Sequence, residues 1–183
     1  YSLAMAGISK IYILEWYGPF TSVDELRNWE KMYPAERGFG IYFISGKPPC
    51  KQIVRNYVGI SLNRSGLISK RYSSDSQHQI HELREKEFWI GRFTDKRKCN
   101  RNNYELCETL LISYLQPELN IRKKSYYPTD DMALINRWFT KEFRPRRNRV
   151  CSAQLNMPDV ILLDYDSGIW TSDSLKLNIS FKE

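Results

Sequence analysis

The sequence predicts an α+β fold around a three-stranded sheet. Three observations predict it: strand-like runs at residues 39–45, 52–61 and 87–94, a capped amphipathic helix before them, and a longer helix after them. Residues 10–17 mix β-branched and aromatic side chains and stop at Gly18-Pro19, the pattern of a strand closed by a turn. Ser22-Val23-Asp24-Glu25 has the form of a capping box, and Val23, Leu26, Trp29 and Met32 then recur at helical spacing until Pro34. Gly46-Lys47-Pro48-Pro49 separates the first two runs as the loop of a hairpin would. Residues 67–73 fit a helical turn and 78–86 are polar and ambiguous, whereas 87–94 alternate around Phe88, Ile90 and Phe93. In residues 103–114, Leu106, Leu110, Leu111 and Tyr114 make one apolar helix face, with Asn102 or Asn103 to cap it and Pro117 to stop it. Met132, Ile135, Trp138 and Phe139 predict another helix over 131–143. The apolar run 160–165 and the alternation of Leu175, Leu177, Ile179 and Phe181 predict closing strands. At 183 residues this is one domain.

Lys and Arg outnumber Asp and Glu by 28 to 21, a net charge of +7 that attracts polyanions. The excess is clustered, at Lys96, Arg97, Lys98 and Arg101, at Arg122, Lys123 and Lys124, and at Lys141, Arg144, Arg146, Arg147 and Arg149. The four cysteines, Cys50, Cys99, Cys107 and Cys151, form no C-x-x-C pair, which argues for reduced thiols over a zinc site or a disulfide framework. No charged-then-apolar leader opens the chain and no stretch nears about 18 apolar residues, so a cytoplasmic protein without a membrane partner is expected.

Gly40-Ile41-Tyr42 and Tyr57-Val58-Gly59 stand near matching places on two neighbouring predicted strands, fourteen residues apart. Arg71 follows, then Glu108 in Leu106-Cys107-Glu108-Thr109-Leu110, then Pro117-Glu118-Leu119-Asn120. In this order, over about eighty residues, the pattern resembles the GIY-YIG nuclease family. The resemblance implies a small three-stranded antiparallel sheet flanked by helices as the catalytic core at 38–121, with an N-terminal extension at 1–37 and a C-terminal helical and strand extension at 122–183. It implies catalytic roles for Tyr42, Tyr57, Arg71, Glu108 and Asn120, with Arg64 as the reserve arginine. Some members carry a histidine after the arginine, where His78 and, second to it, His81 stand here. A lysine directly after the second triplet has no counterpart, since Ile60 is there, and Lys70 is the nearest substitute.

The residue types suit the chemistry. A carboxylate on an apolar helix is costly unless it binds something, and Glu108 could hold Mg²⁺, with Mn²⁺ as a substitute, because such an ion keeps waters and phosphate oxygens as its other ligands. A guanidinium such as that of Arg71 donates two hydrogen bonds to phosphoryl oxygens as charge builds there. A phenol is a poor base near its usual pKa of about 10, so Tyr42 or Tyr57 would need a nearby cation to lower it. One carboxylate suggests one ion. The reaction that the resemblance implies is endonucleolytic hydrolysis of double-stranded DNA to 5′-phosphate and 3′-hydroxyl ends, in a restriction, defence or repair setting. Arg64, Lys70, Lys123, Lys124, Arg144, Arg146 and Arg147 are the expected phosphate contacts, and Trp138 with the 144–149 cluster is a candidate grip on the backbone. With one site per chain, cutting both strands calls for a homodimer or sequential nicking. The rival reading is a nucleic-acid-binding module without turnover. A PD-(D/E)xK site is disfavoured because neither Asp164 nor Asp166 is followed two positions on by lysine.

Overall fold

The apolar alternation within residues 39–61 does fold as a hairpin, but the sheet it joins is much larger than the sequence suggests. The computed structural model describes residues 8, 10–63, 66–75, 78–146 and 157–172. Its strands are β1 (Lys10–Phe20), β2 (Gly40–Lys47), β3 (Arg55–Ser61), β4 (Arg84–Phe93), β5 (Met132–Phe139), β6 (Val160–Asp164) and β7 (Gly168–Ser172). They form a single seven-stranded, curled mixed sheet in the order β3-β2-β4-β1-β5-β6-β7. The helices are α1 (Val23–Met32), α2 (Ile68–Ser73), α3 (His78–Glu82) and α4 (Arg101–Leu115).

This corrects the expected small three-stranded antiparallel sheet. The three anticipated strands pair antiparallel as β3, β2 and β4. β4 then continues onto β1, and β1 onto β5 in parallel. Residues 10–20, read as part of an extension, therefore occupy the middle of the sheet; β1 also runs past Gly18-Pro19, with a register shift after Tyr17. The predicted helix over 131–143 is instead strand β5. Its apolar positions fit a helical period, yet the strand is covered on both faces, and six of its eight residues are buried. A doubly covered strand is apolar almost throughout, and spacing alone does not separate it from a buried helix. The alternation at 175–181 lies outside the described residues.

Capping explains the two helices read correctly. Ser22 Oγ accepts from Glu25 N at 3.1 Å to start α1. Asn100, rather than Asn102 or Asn103, caps α4 by accepting from Asn103 N at 3.0 Å.

Because successive strand residues face opposite ways, the sheet carries two cores. Trp16, Ile41, Phe43, Val58 and Trp89 face α4 and its Tyr104, Cys107, Leu110 and Leu111. Tyr42, Ile44, Tyr57, Phe88 and Ile90 face Leu26 and Trp29 of α1, Ile68 and Tyr72 of α2 and Ile80 of α3. Trp138 is buried against Trp16 and Trp89, which removes it as a grip on nucleic acid. Cys50, Cys99 and Cys107 are free thiols. Among the described residues, no helix is long and apolar enough to cross a membrane.

Candidate active site

The β2–β3 register pairs Ile44 with Tyr57 and Tyr42 with Gly59. The two phenols are thus diagonal neighbours on one face, with ring centroids 6.0 Å apart. Gly59 is a steric requirement of this arrangement, because a Cβ there would collide with the Tyr42 ring and hydroxyl. Both hydroxyls donate to one oxygen, Asp75 Oδ2, from 3.1 Å for Tyr42 and 3.0 Å for Tyr57. Arg71 Nη1 lies 3.7 Å from the same oxygen. Burial pushes both phenols well above their ordinary pKa, the Asp75 charge pushes further, and Arg71 opposes it. The cation beside them therefore does not produce the lowered pKa that a phenolate base would need.

Helix α2 carries Arg71 and ends just before Asp75. Six residues are too few to hold a helix without help. Glu30 of α1 supplies that help: its carboxylate, fully buried, accepts from Ile68 N at 2.6 Å, Ser69 N at 3.1 Å and Ser69 Oγ at 2.6 Å. The first turn of α2 is thereby satisfied from outside. His81 of α3 closes the same corner, with Nε2 3.0 Å from the Asp75 backbone oxygen and its ring against Tyr72. His78 begins α3, and its side chain lies outside what is described.

On the other side of the β3 edge, α4 presents Glu108, which is 8% exposed. Burial raises its carboxyl above the usual range, while Lys123, whose Nζ lies 2.5 Å from Oε2, pulls it back down. The segment after α4 then fastens the edge of β3. Asn120 Oδ1 accepts from Val58 N at 2.9 Å and its Nδ2 donates to Val58 O at 2.8 Å. Glu118 accepts from Asn56 N at 2.8 Å, and Leu119 N donates to Asn56 O at 3.1 Å. Asn120 therefore fixes β3 just after Tyr57 and Glu118 with Leu119 fix it just before, so both polar atoms of the Asn120 side chain are spent on the strand although the residue borders the cleft.

Tyr57, Arg71, Asp75, Glu108, Asn120 and Lys123 line one cleft of about 980 Å³, with Arg122 beside them. Tyr42 is not among the lining residues and stands behind Tyr57. The cleft can take a phosphodiester between the half-exposed guanidinium of Arg71 and the carboxylate of Glu108. Among the described residues, no three His, Cys, Asp or Glu side chains gather to hold a metal ion. Glu108 offers a single carboxylate that is nearly buried and already engaged by Lys123, so a cation held there would have to displace that ammonium and complete its shell with water and phosphate oxygens.

The remaining expected contacts are scattered. Lys70 and Arg144 are exposed, and the backbone oxygen of Lys124 is held by Gln116. Arg146 is tied to the sheet: Nη2 donates to Gly18 O at 2.7 Å and the guanidinium lies over Trp89 at 5.4 Å. Arg64, Arg147 and Arg149 lie outside the described residues. Sequence reasoning missed Asp75 and Glu30. The signal for Asp75 was its position four residues after Arg71, one helical turn away; Glu30 carried none beyond being a charge on the helix face that bears Leu26. Comparison with protein-family models, curated proteins and solved structures finds no match for this chain.

The Glu108–Lys123 pair supports a stability prediction. A carboxyl raised on folding weakens the fold as pH climbs above its unfolded value, and Lys123→Met removes the group that limits this. The variant should lose about 1–3 kcal/mol at neutral pH, the cost of a buried charge left without its partner. The gap from wild type should close as pH falls and Glu108 becomes neutral. Urea unfolding at neutral and mildly acidic pH measures both; a gap that widens on acidification contradicts the pairing.

Proposed function

We propose that the chain is a metal-dependent endonuclease that hydrolyses DNA phosphodiester bonds, related in its site to the GIY-YIG nucleases although built on a larger sheet. The observation that supports this best is the shared cleft, where a phenol, a guanidinium and a nearly buried carboxylate face one space with Arg122 and Lys123 at hand. Arg71 would hold the phosphoryl oxygens and stabilise the charge that builds on them. Tyr57 would orient the attacking water, and Tyr42 would fix Tyr57 through their common acceptor. Glu108 would hold Mg²⁺, or Mn²⁺ in its place, which supplies positive charge to the phosphate. Duplex DNA is the proposed substrate, in a restriction, defence or repair role in the cytoplasm, with two copies or successive nicks needed to sever both strands.

One observation favours the rival, a binding module without turnover: Lys123 already neutralises Glu108. Supercoiled plasmid incubated with the protein in Mg²⁺, Mn²⁺ or EDTA separates the two. The nuclease reading expects nicked or linear product with either metal, none in EDTA, and 5′-phosphate and 3′-hydroxyl ends on sequencing. Plasmid that is retarded in a gel but never broken favours the module.

A further inference from the structure

We infer that Asp75 is the terminal proton acceptor of the cleft, receiving the proton of the attacking water by way of the Tyr57 hydroxyl. The inference rests on the nuclease reading and assigns a role to the one carboxylate at the centre of the site that the sequence pattern does not mark.

The geometry carries it. A phenol that acts as a base by itself must first lose its own proton, and burial makes that loss unfavourable for Tyr57. A phenol that donates its hydrogen to a carboxylate has no such need, since an oxygen lone pair remains to take a proton from water as the original one moves on. Tyr57 meets both conditions: it lines the cleft, and its hydroxyl donates to Asp75 Oδ2 at 3.0 Å. The Asp75 side chain is only 5% exposed where it borders the cleft, and the Tyr57 hydroxyl is a donor on its Oδ2. Tyr42 donates to the same oxygen from the neighbouring strand, which fixes the carboxylate against rotation. Arg71 balances its charge from 3.7 Å. Among the described residues, the groups facing Asp75 include Tyr42 from β2, Tyr57 from β3, Arg71 and Tyr72 from α2, and His81 from α3, while Glu108 of α4 acts on Tyr57 at longer range.

The step balances. The water oxygen forms a bond to phosphorus as its proton passes to Tyr57 Oη and the Tyr57 proton passes to Asp75 Oδ2. The bond from phosphorus to the 3′ oxygen breaks, and that oxygen leaves with the electron pair and takes a proton from solvent water. Asp75 then returns its proton to water through Tyr57, and the phenol is restored.

The test separates relay from anchoring. Asp75→Asn keeps an oxygen for the phenols to donate to but cannot accept a proton. Relay predicts a single-turnover cleavage rate about 10²-fold below wild type, with unchanged affinity for uncut DNA. It also predicts that the second proton in flight, seen as curvature of the rate across H₂O/D₂O mixtures, disappears. Tyr57→Phe breaks the same chain, so the double variant should be no slower than Tyr57→Phe alone. If Asp75→Asn fails to fold, Asp75→Glu provides the second reading: relay expects it to keep the curvature that Tyr57→Phe loses. An Asp75→Asn rate within about threefold of wild type, or additive losses in the double variant, overturns the relay while leaving the nuclease reading intact. A wild type that cuts nothing with either metal overturns both.

Discussion

Arg71→Ala is expected to slow cleavage by about 10²–10³-fold at saturating DNA, the usual cost of removing one donor aimed at developing charge. The side chain is 44% exposed and its ion pair with Asp75 is long, at 3.7 Å, so folding stability should barely change. Binding of uncut DNA should weaken only modestly, because Lys70, Arg122 and Lys123 remain to meet phosphates. Arg71→Lys should recover part of the rate at most, since an ammonium restores the charge but not the planar fork. Single-turnover kinetics beside thermal unfolding and a binding titration would measure all three. A rate loss under about tenfold in Arg71→Ala would remove this side chain from the transition state.

Glu30→Ala is expected to cost about 3 kcal/mol, because it strands two backbone N–H groups and a hydroxyl at the fully buried start of α2. Activity should fall too, although Glu30 never meets substrate. A displacement of Arg71 and Asp75 by about 1 Å is enough to lower turnover about 10²-fold. Glu30→Gln should fall between, as its oxygen still accepts one bond while its amide faces donors. Urea unfolding with cleavage measured on the folded fraction would separate the two effects; a Glu30→Ala protein of wild-type stability would show that α2 is held by something else.

Part of the site is legible in the sequence and part is not, for physical reasons. Tyr42 and Tyr57 stand out because each sits in a triplet with a glycine; the Tyr42 ring lies over Gly59, whereas Gly40 makes room for Arg92 and Ile68. Glu108 stands out because it interrupts an apolar helix face. Asp75 does not, since it follows Ser73-Ser74 in a polar stretch and matters only where β2, β3 and α2 meet. Lys123 was legible as a charge for phosphate, but its contact with Glu108 depends on how the chain turns after α4. The strands nearest the triplets could be read from alternation, with the edges off by up to three residues. The larger sheet could not, because β5 is apolar on both faces and lies more than a hundred residues from β1, its parallel neighbour.

The fastening of β3 has a consequence for self-association. An open sheet edge recruits strands from other chains, which leads to domain swapping or aggregation. At Asn56 and Val58 the outward backbone groups are already engaged by Glu118, Leu119 and Asn120. A second copy cannot add a strand there without first prying that segment away, so a pair of copies acting in the proposed role would have to meet through some other surface.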